Sequence, residues 1–475
     1  MARPLIFCQE LNTLTLMQYY TPPEPDTFAG DAMPFYHDGA FHLFYLLDHG
    51  HHSSLGGLGG HQWAHATTTD LVHWEHHPLA LAITEPWEGS ICTGSAFYHA
   101  GTTYAFYATR RPDWTQHLGV ATSCDGITFT KRPPLASPGP RFSPVDYRDP
   151  FVFRDPETGT FHMLVTSALA KPAVEGYGGC LAHLTSRDLE HWEVQEPFYE
   201  SGYAGPPECP DLFAWNGWWY LLYSHGLVTH YRMARGPLGP WQRPVVDTLD
   251  GAMAAVIKTA PFGPQRRLGV AWVGTREGHL DRGARQWGGA LVFRELTQHS
   301  DGTLGTRFVP EMVPSSDVKL ELPMQPLTGH TIVATGSIAL TASMGFEVAA
   351  FSDVPRDVHI TLRIEPNGAH AFGLRLRGSG AFASGYDLRF DPHEATVSLA
   401  DVSLPLVRGL DHPFQLDLVM IDDLIDVSVN TGHPEGERCL ANRLPQLAGD
   451  LLFFYAQDGP VRFTDIAVRR ASRAG

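Results

Sequence analysis

Apolar and aromatic positions along this chain fall into short paired runs, each pair hinged on a glycine-bearing turn. In DAMPFYHDGAFHLFYLLDH, beginning at Asp31, two aromatic-rich runs flank His37-Asp38-Gly39, the pattern of two β-strands joined by a tight hairpin. The same grammar returns in SAFYHAGTTYAFYAT (Ser95 to Thr109), PFVFRDPETGTFHMLVTS (Pro150 to Ser167) and PDLFAWNGWWYLLYS (Pro210 to Ser224). A second element alternates with these hairpins: HATTTDLVHWEHHPLAL (His65 to Leu81), VATSCDGITFTKRPP (Val120 to Pro134) and HLTSRDLEHWEVQEP (His183 to Pro197), built on Thr/Ser-x-Asp-Leu-x-His-Trp. Two strands from each element make a four-stranded sheet, and a repeat of roughly 50 residues is the signature of a β-propeller. Complete units start near residues 31, 95, 150 and 210, and a fifth runs through Ala255 to Gly274 and Gly289 to Leu296. Five blades are expected.

Beyond DGTLGTRFVPEMVPSSD (Asp301 to Asp317) the Trp-rich repeats stop and plain alternation of period two takes over. HITLRIEP (His359 to Pro366), FGLRLRG (Phe372 to Gly378), FQLDLVMIDDLIDVSVN (Phe414 to Asn430) and VRFTDIAVRR (Val461 to Arg470) read as half-buried antiparallel strands of a β-sandwich. The chain is therefore expected to be all-β, a five-bladed β-propeller over residues 1–310 followed, after a linker region at 311–335, by a C-terminal β-sandwich over 336–475. Its 475 residues suit two cores better than one. The 47 glycines and 37 prolines, spread throughout, suit short strands and tight turns.

Composition then narrows the function. A formal net charge of -17 disfavours nucleic acid and anionic membranes, which need a basic surface; a neutral small-molecule sugar is the compatible partner. Six cysteines (Cys8, Cys92, Cys124, Cys180, Cys209, Cys439) form no CxxC pair, so reduced thiols are expected and no cofactor is implied. MARPLIFCQELNTLTLMQYY lacks the layout of a secretory signal, and no apolar run is long enough to span a bilayer. The expected location is cytoplasmic.

In a propeller the innermost strand of each blade lines a central channel, so acids at the strand starts converge. Asp31 opens the first hairpin, Asp149 precedes the third in YRDPF, and Glu208 precedes the fourth in PPECPDLF. All three read as occupying the same place in the repeat. Cleaving a glycosidic bond needs two carboxyl groups flanking the anomeric carbon, one ionised and one protonated. Trp74, Trp192, Trp218 and Trp219 fit the blade-packing pattern, whereas Trp63, Trp87 and Trp287 fall outside it and are candidates for a pocket wall. LLDHGHHSSLGGLGGHQWAHA (Leu46 to Ala66) reads as a loop at the pocket mouth whose imidazoles, His49 first, could meet a hydroxyl-rich ligand. A metal set from His49, His51, His52 and His61 is an open alternative that the loop spacing does not select, and none is assigned.

RDP at Arg148 to Pro150, ECPDLF at Glu208 to Phe213, the His65 to Leu81 stretch, GSICTGS at Gly89 to Ser95 and WGGALVFREL at Trp287 to Leu296 together resemble glycoside hydrolase family 32. The resemblance extends to DDLIDVSVNTG (Asp422 to Gly432) in the second domain. It implies a retaining hydrolase of β-fructofuranosides, with Asp31 as nucleophile, Glu208 as acid/base and Asp149 stabilising the transition state. Arg148 is then a cationic neighbour, and Thr93, within GSICTGS, joins the sugar-binding candidates. The first motif departs from the family pattern. The usual Asn-Asp-Pro-Asn-Gly is Gly30-Asp31-Ala32-Met33-Pro34, and the usual Gln after the Leu-Phe-Tyr strand is Leu46, so a changed sugar or linkage is expected. A fructosyltransferase, an inverting furanosidase of arabinofuranosidase type and a sugar-binding propeller are the alternatives.

Overall fold

The computed structural model describes residues 13–14, 17–85, 87–135, 138–341 and 343–471. Its architecture is all-β, a five-bladed propeller packed on a β-sandwich. The first blade is Thr27–His37, Ala40–His49, Gln62–Thr68 and Trp74–Leu81; the second is Ser90–His99, Thr102–Arg110, Gln116–Ser123 and Thr130–Lys131. The third runs from Phe142–Arg154 through Phe161–Leu169 and Gly179–Ser186 to Glu193–Val194, and the fourth from Glu208–Trp215 through Trp218–His225 to Val228–Ala234. Ala254–Phe262, Arg266–Arg276, Arg285–Gln298 and Leu304–Arg307 make the fifth, and Ala29 pairs with Gly289 to join it to the first. That pairing closes the ring.

The Asp-Leu-x-His-Trp repeats are corner devices. At the turn after Thr68, the Asp70 Oδ1 accepts the backbone N–H groups of Val72 and His73 at 2.9 and 2.8 Å, and the Trp74 indole donates to Leu71 O. Asp188 does the same for Glu190 and His191, and Asp125 for Ile127 and Thr128. Each corner needs one left-handed residue, at Leu71, Gly126 and Leu189 (φ 68°, 71° and 66°). The side-chain caps offset that strain by satisfying N–H groups that no strand partner reaches.

Two seven-stranded antiparallel sheets form the sandwich. Its strands Met324–Pro326 and Thr331–Ala334 already lie inside the span read as a linker, because strands this short and half exposed carry too little alternation to be seen. Between the domains, Arg294 of the fifth blade is wholly buried and forks onto Asp426 of the sandwich at 2.7 and 2.8 Å, while its Nε donates to Asp250. Cys8 lies outside the described residues; the other five cysteines are free thiols.

Candidate active site

Every innermost strand of the propeller carries a bulge at the same height. Ala29 pairs with Leu47 and Ala32 with Tyr45, so three steps on one strand oppose two on its neighbour; the same mismatch recurs at Ile91/Gly94, Arg148/Phe151, Glu208/Asp211 and Ala255/Lys258. In the last three blades the first bulged residue is left-handed: Asp149, Cys209 and Val256, at φ 54°, 54° and 55°. A bulge re-aims the side chains that follow it, and here it turns them toward the channel. The acids do not occupy one identical repeat position, as the sequence reading has it. Glu208 precedes its bulge, Asp149 is the first bulged residue and Asp31 the second. The extra residue in each strand lets all three meet despite the offset.

Asp31 and Asp149 are buried, whereas Glu208 leaves 34% of its side chain exposed. Asp31 receives the Thr93 hydroxyl on Oδ2 at 2.6 Å and the Trp272 indole N–H on Oδ1 at 2.7 Å, with the Cys209 thiol 3.6 Å from Oδ2. Burial pushes its carboxyl above the ordinary range; Thr93 and Trp272 pull against that, and the charge of Asp149 adds to it. Asp149 Oδ2 accepts the Cys209 backbone N–H at 3.2 Å. Arg148 binds Glu208 Oε1 at 2.7 Å and Asp146 at 2.8 Å, and its Nε lies 3.7 Å from Asp149. Burial raises the Glu208 pKa, Arg148 lowers it, and Asp149 and Asp31 raise it again, leaving it above the usual carboxylate range. Arg148 therefore opposes the rise without cancelling it.

Of the wall candidates, Thr93 touches Asp31 directly. Trp87 is half-buried beside the Arg111 guanidinium, and His49 is half-buried at the end of its strand. The Trp287 indole lies where a side chain on Gly30 would stand, since a Cβ there would come within 2.0 Å of its ring. Trp63 is a correction. It is fully buried among Phe44, Met33 and Leu46, with its indole N–H on Cys92 O at 2.9 Å, so it belongs to the blade core and presents no face to a ligand. Its place outside the Trp repeat reflects a different packing position, on the strand leaving the His/Gly-rich loop. Trp272 and Cys209 contact Asp31 but looked like ordinary core residues; being buried in apolar strands, they gave no polar signal to follow.

The histidines of the loop divide. His51 stacks on Phe28 with ring centroids 3.6 Å apart and lies 3.0 Å from Trp287 O. His52 and His61 instead gather with Asp48. His61 stacks on Trp287, with centroids 4.5 Å apart and rings 16° from parallel.

A model of the glycosyl hydrolases family 32 N-terminal domain matches residues 28–235, the stretch that carries all three acids. Residues 28–235 are a glycosyl hydrolase family 32 N-terminal domain. The chain is 26% identical to the raffinose invertase of Escherichia coli, over 90% of each chain, and 24% identical to that organism's sucrose-6-phosphate hydrolase, over 88% of this chain and 87% of the other. Among solved structures, fructan 1-exohydrolase IIa of Cichorium intybus in complex with 1-kestose matches at TM-score 0.73 and 16% identity, covering 97% of this chain and 98% of that one. An exo-inulinase from Aspergillus awamori matches at 0.70 and 18%, with the same coverage. These two show a shared fold.

The protein is a glycoside hydrolase, and its departures from the first motif of family 32 have a common cause. Where the family has Asn, Gly30 gives its space to Trp287. Ala32, Met33 and Leu46 are all buried, Met33 and Leu46 in one apolar cluster. Polar groups have been exchanged for packing on both strands together, and Met33 and Leu46 share the buried cluster of Trp63. Among the described residues, no helix is long and apolar enough to cross a membrane.

Proposed function

We propose that this enzyme hydrolyses a β-fructofuranoside with retention, through a covalent fructosyl intermediate on Asp31. The supporting observation is the unequal treatment of the two carboxyls. Burial raises Asp31 as well, but its two donors, Thr93 and Trp272, bond only its lone pairs and pull it back toward the ionised, nucleophilic form. Glu208 is raised by burial and by two neighbouring carboxylates, which favours the protonated form a leaving oxygen needs. Asp31 Oδ attacks the anomeric carbon as Glu208 gives its proton to the departing oxygen. Water then enters, losing a proton to Glu208 while the Asp31 ester bond breaks. Asp149, fixed by the Cys209 N–H, accepts hydroxyls of the fructosyl ring as positive charge develops, and Arg148 holds Glu208 on the opposite flank.

The names of the relatives, invertase, sucrose-6-phosphate hydrolase and fructan exohydrolase, support a fructoside as substrate. The loss of the family's polar residues at Gly30, Met33 and Leu46 argues against assuming sucrose. A panel of sucrose, raffinose, inulin and levan, followed by NMR at early times, tests the proposal. The first product is expected to be the β-anomer, with Asp31→Asn and Glu208→Gln each losing about 10³-fold or more in kcat. Release of the α-anomer, or an active Asp31→Asn variant, defeats the mechanism; main products longer than the substrate mean transfer to sugar in place of hydrolysis.

A further inference from the structure

Beside the sugar site, Asp48, His52 and His61 bring one potential ligand atom each to within 4.8 Å of the others, and the described residues contain no second group of this kind. Asp48 and His61 are 0% and 2% exposed. Asp48 Oδ1, His61 Nδ1, His61 Nε2 and His52 Nδ1 are all buried without a hydrogen-bond partner. Asp48 Oδ1 and His61 Nε2 face each other at 3.1 Å as an ion pair without hydrogen-bond alignment, and Cys92 stands beside His61. Buried polar atoms left in this state call for an explanation, and an ion is one of the few available.

We propose that Asp48, His52 and His61 form a binding site for a divalent transition-metal ion of the zinc type. Two imidazoles and a carboxylate are a donor set such ions take, leaving a position for water. With ligand bonds of about 2.0–2.1 Å, neighbouring tetrahedral donors stand about 3.4 Å apart. Asp48 and His61 already match that spacing. His52 has to close the remaining gap, and it sits half-exposed on a turn between Gly50 and the glycines at 56, 57, 59 and 60, all at positive φ. Gly59 keeps the approach clear, since a Cβ there would come within 2.8 Å of His61 Nε2. On binding, His61 Nε2 exchanges any proton it holds for the ion, and the proton leaves to solvent.

The cation now nearest the cluster is Arg110, whose Nη1 lies 2.6 Å from His52 Nε2 and also donates to Leu58 O at 3.2 Å. A guanidinium only donates, so it competes with an ion for the lone pair of His52. The ion displaces Arg110 toward Leu58 O and the Trp114 ring, 5.8 Å away. Its place is one ring from the sugar site, because His61 stacks on the Trp287 that covers Gly30, next to Asp31.

The full-length protein, stripped with a chelator and dialysed against Zn²⁺ or Co²⁺, gives a readout independent of turnover. Wild type is expected to hold one equivalent more than His52→Ala, His61→Gln or Asp48→Asn, with visible Co²⁺ bands of a tetrahedral site. Loss of a ligand should weaken binding by about 100-fold or more, and Arg110→Ala should bind more tightly. Should the buried variants fail to fold, His52→Ala on its open turn carries the comparison. Equal uptake by wild type and variants, or no uptake by wild type and Arg110→Ala alike, overturns the proposal. Neither result bears on the anomer test of the hydrolase.

Discussion

At the scale of single residues, the site is governed by what each carboxyl is allowed to bond. Trp272 is buried completely, and its one polar atom is spent on Asp31 Oδ1 at 2.7 Å. Trp272→Phe keeps the ring and removes the donor. A hydrogen bond to a charged group contributes about 1.5–3 kcal/mol, so kcat/KM should fall about 10- to 100-fold. Because the donor favours the carboxylate, its loss raises the Asp31 pKa. On the proposed mechanism the acid limb of the pH profile, where Asp31 loses its proton, should therefore move to higher pH while the basic limb assigned to Glu208 stays near its place. A profile that merely drops, with neither limb displaced, would mean Trp272 acts by packing alone. The three acids were legible in the sequence because carboxylates stand out against apolar strands. Trp272 and Cys209 were not, since a Trp or Cys in a strand is most often core. Trp63 misled for the converse reason: it broke the Trp pattern and looked free, but its N–H was already committed to Cys92 O.

At the scale of elements, the blade repeat extends to paired histidines whose role is not catalytic. In the first blade His42 Nδ1 and His65 Nε2 lie 3.2 Å apart with rings 13° from parallel; in the third, His162 and His183 repeat this at 2.8 Å and 12°. The repeat is visible in FHLFY with WAHATT and in FHMLV with LAHLTS. Burial holds His42 and His183 down to about 4 and lowers His65 and His162 as well. These rings are neutral in the fold and protonate near 6.5 when unfolded. The unfolded chain thus binds more protons below that value, and stability present above pH 6.5 is lost as pH falls toward 4. Each ring held near 4 or below should make the unfolding free energy in urea about 2–3 kcal/mol smaller at pH 4.5 than at pH 7. His183→Leu, which removes one pair, should flatten that slope. An unchanged slope in the variant would assign the acid sensitivity elsewhere. The aspartates that cap the corners are held well below their usual range and titrate outside this window. Four blades could be read from the grammar of aromatic-rich hairpins hinged on glycine turns. The fifth lacks it and is recognised by strand alternation alone, and the bulges that aim the acids left no mark because the innermost strands are buried on both faces there, with no alternation for an extra residue to break.

At the scale of the molecule, two stretches that pointed to the family, 132 residues apart at their contact, meet in space. Arg294 comes from WGGALVFREL and Asp426 from DDLIDVSVNTG, and they form a fully buried bidentate pair across the domain boundary. Tyr19 donates to the same carboxylate at 2.8 Å, and Asp250 takes the Arg294 Nε. A second crossing runs from Arg276 in the propeller to Asp401, Asn442 and the carbonyl of Arg443 in the sandwich. The sandwich therefore braces the fifth blade, whose Trp272 and Trp287 stand against Asp31 and Gly30. Removing one partner of a buried pair leaves an uncompensated charge and costs about 3–5 kcal/mol, so the order of losses can be foreseen. Asp426→Asn leaves Arg294 with Asp250 and should fall at the lower end. Arg294→Met strands two carboxylates at once and should lie at or above the upper end, measured as the shift in urea unfolding free energy at pH 7. Because the pair binds domain to domain, both variants should also separate the fluorescence transition of the Trp-rich propeller from the loss of sandwich structure followed by circular dichroism. Equal losses, or a single coincident transition in both variants, would show that apolar packing across the boundary, and not this ionic pair, holds the two domains to one another.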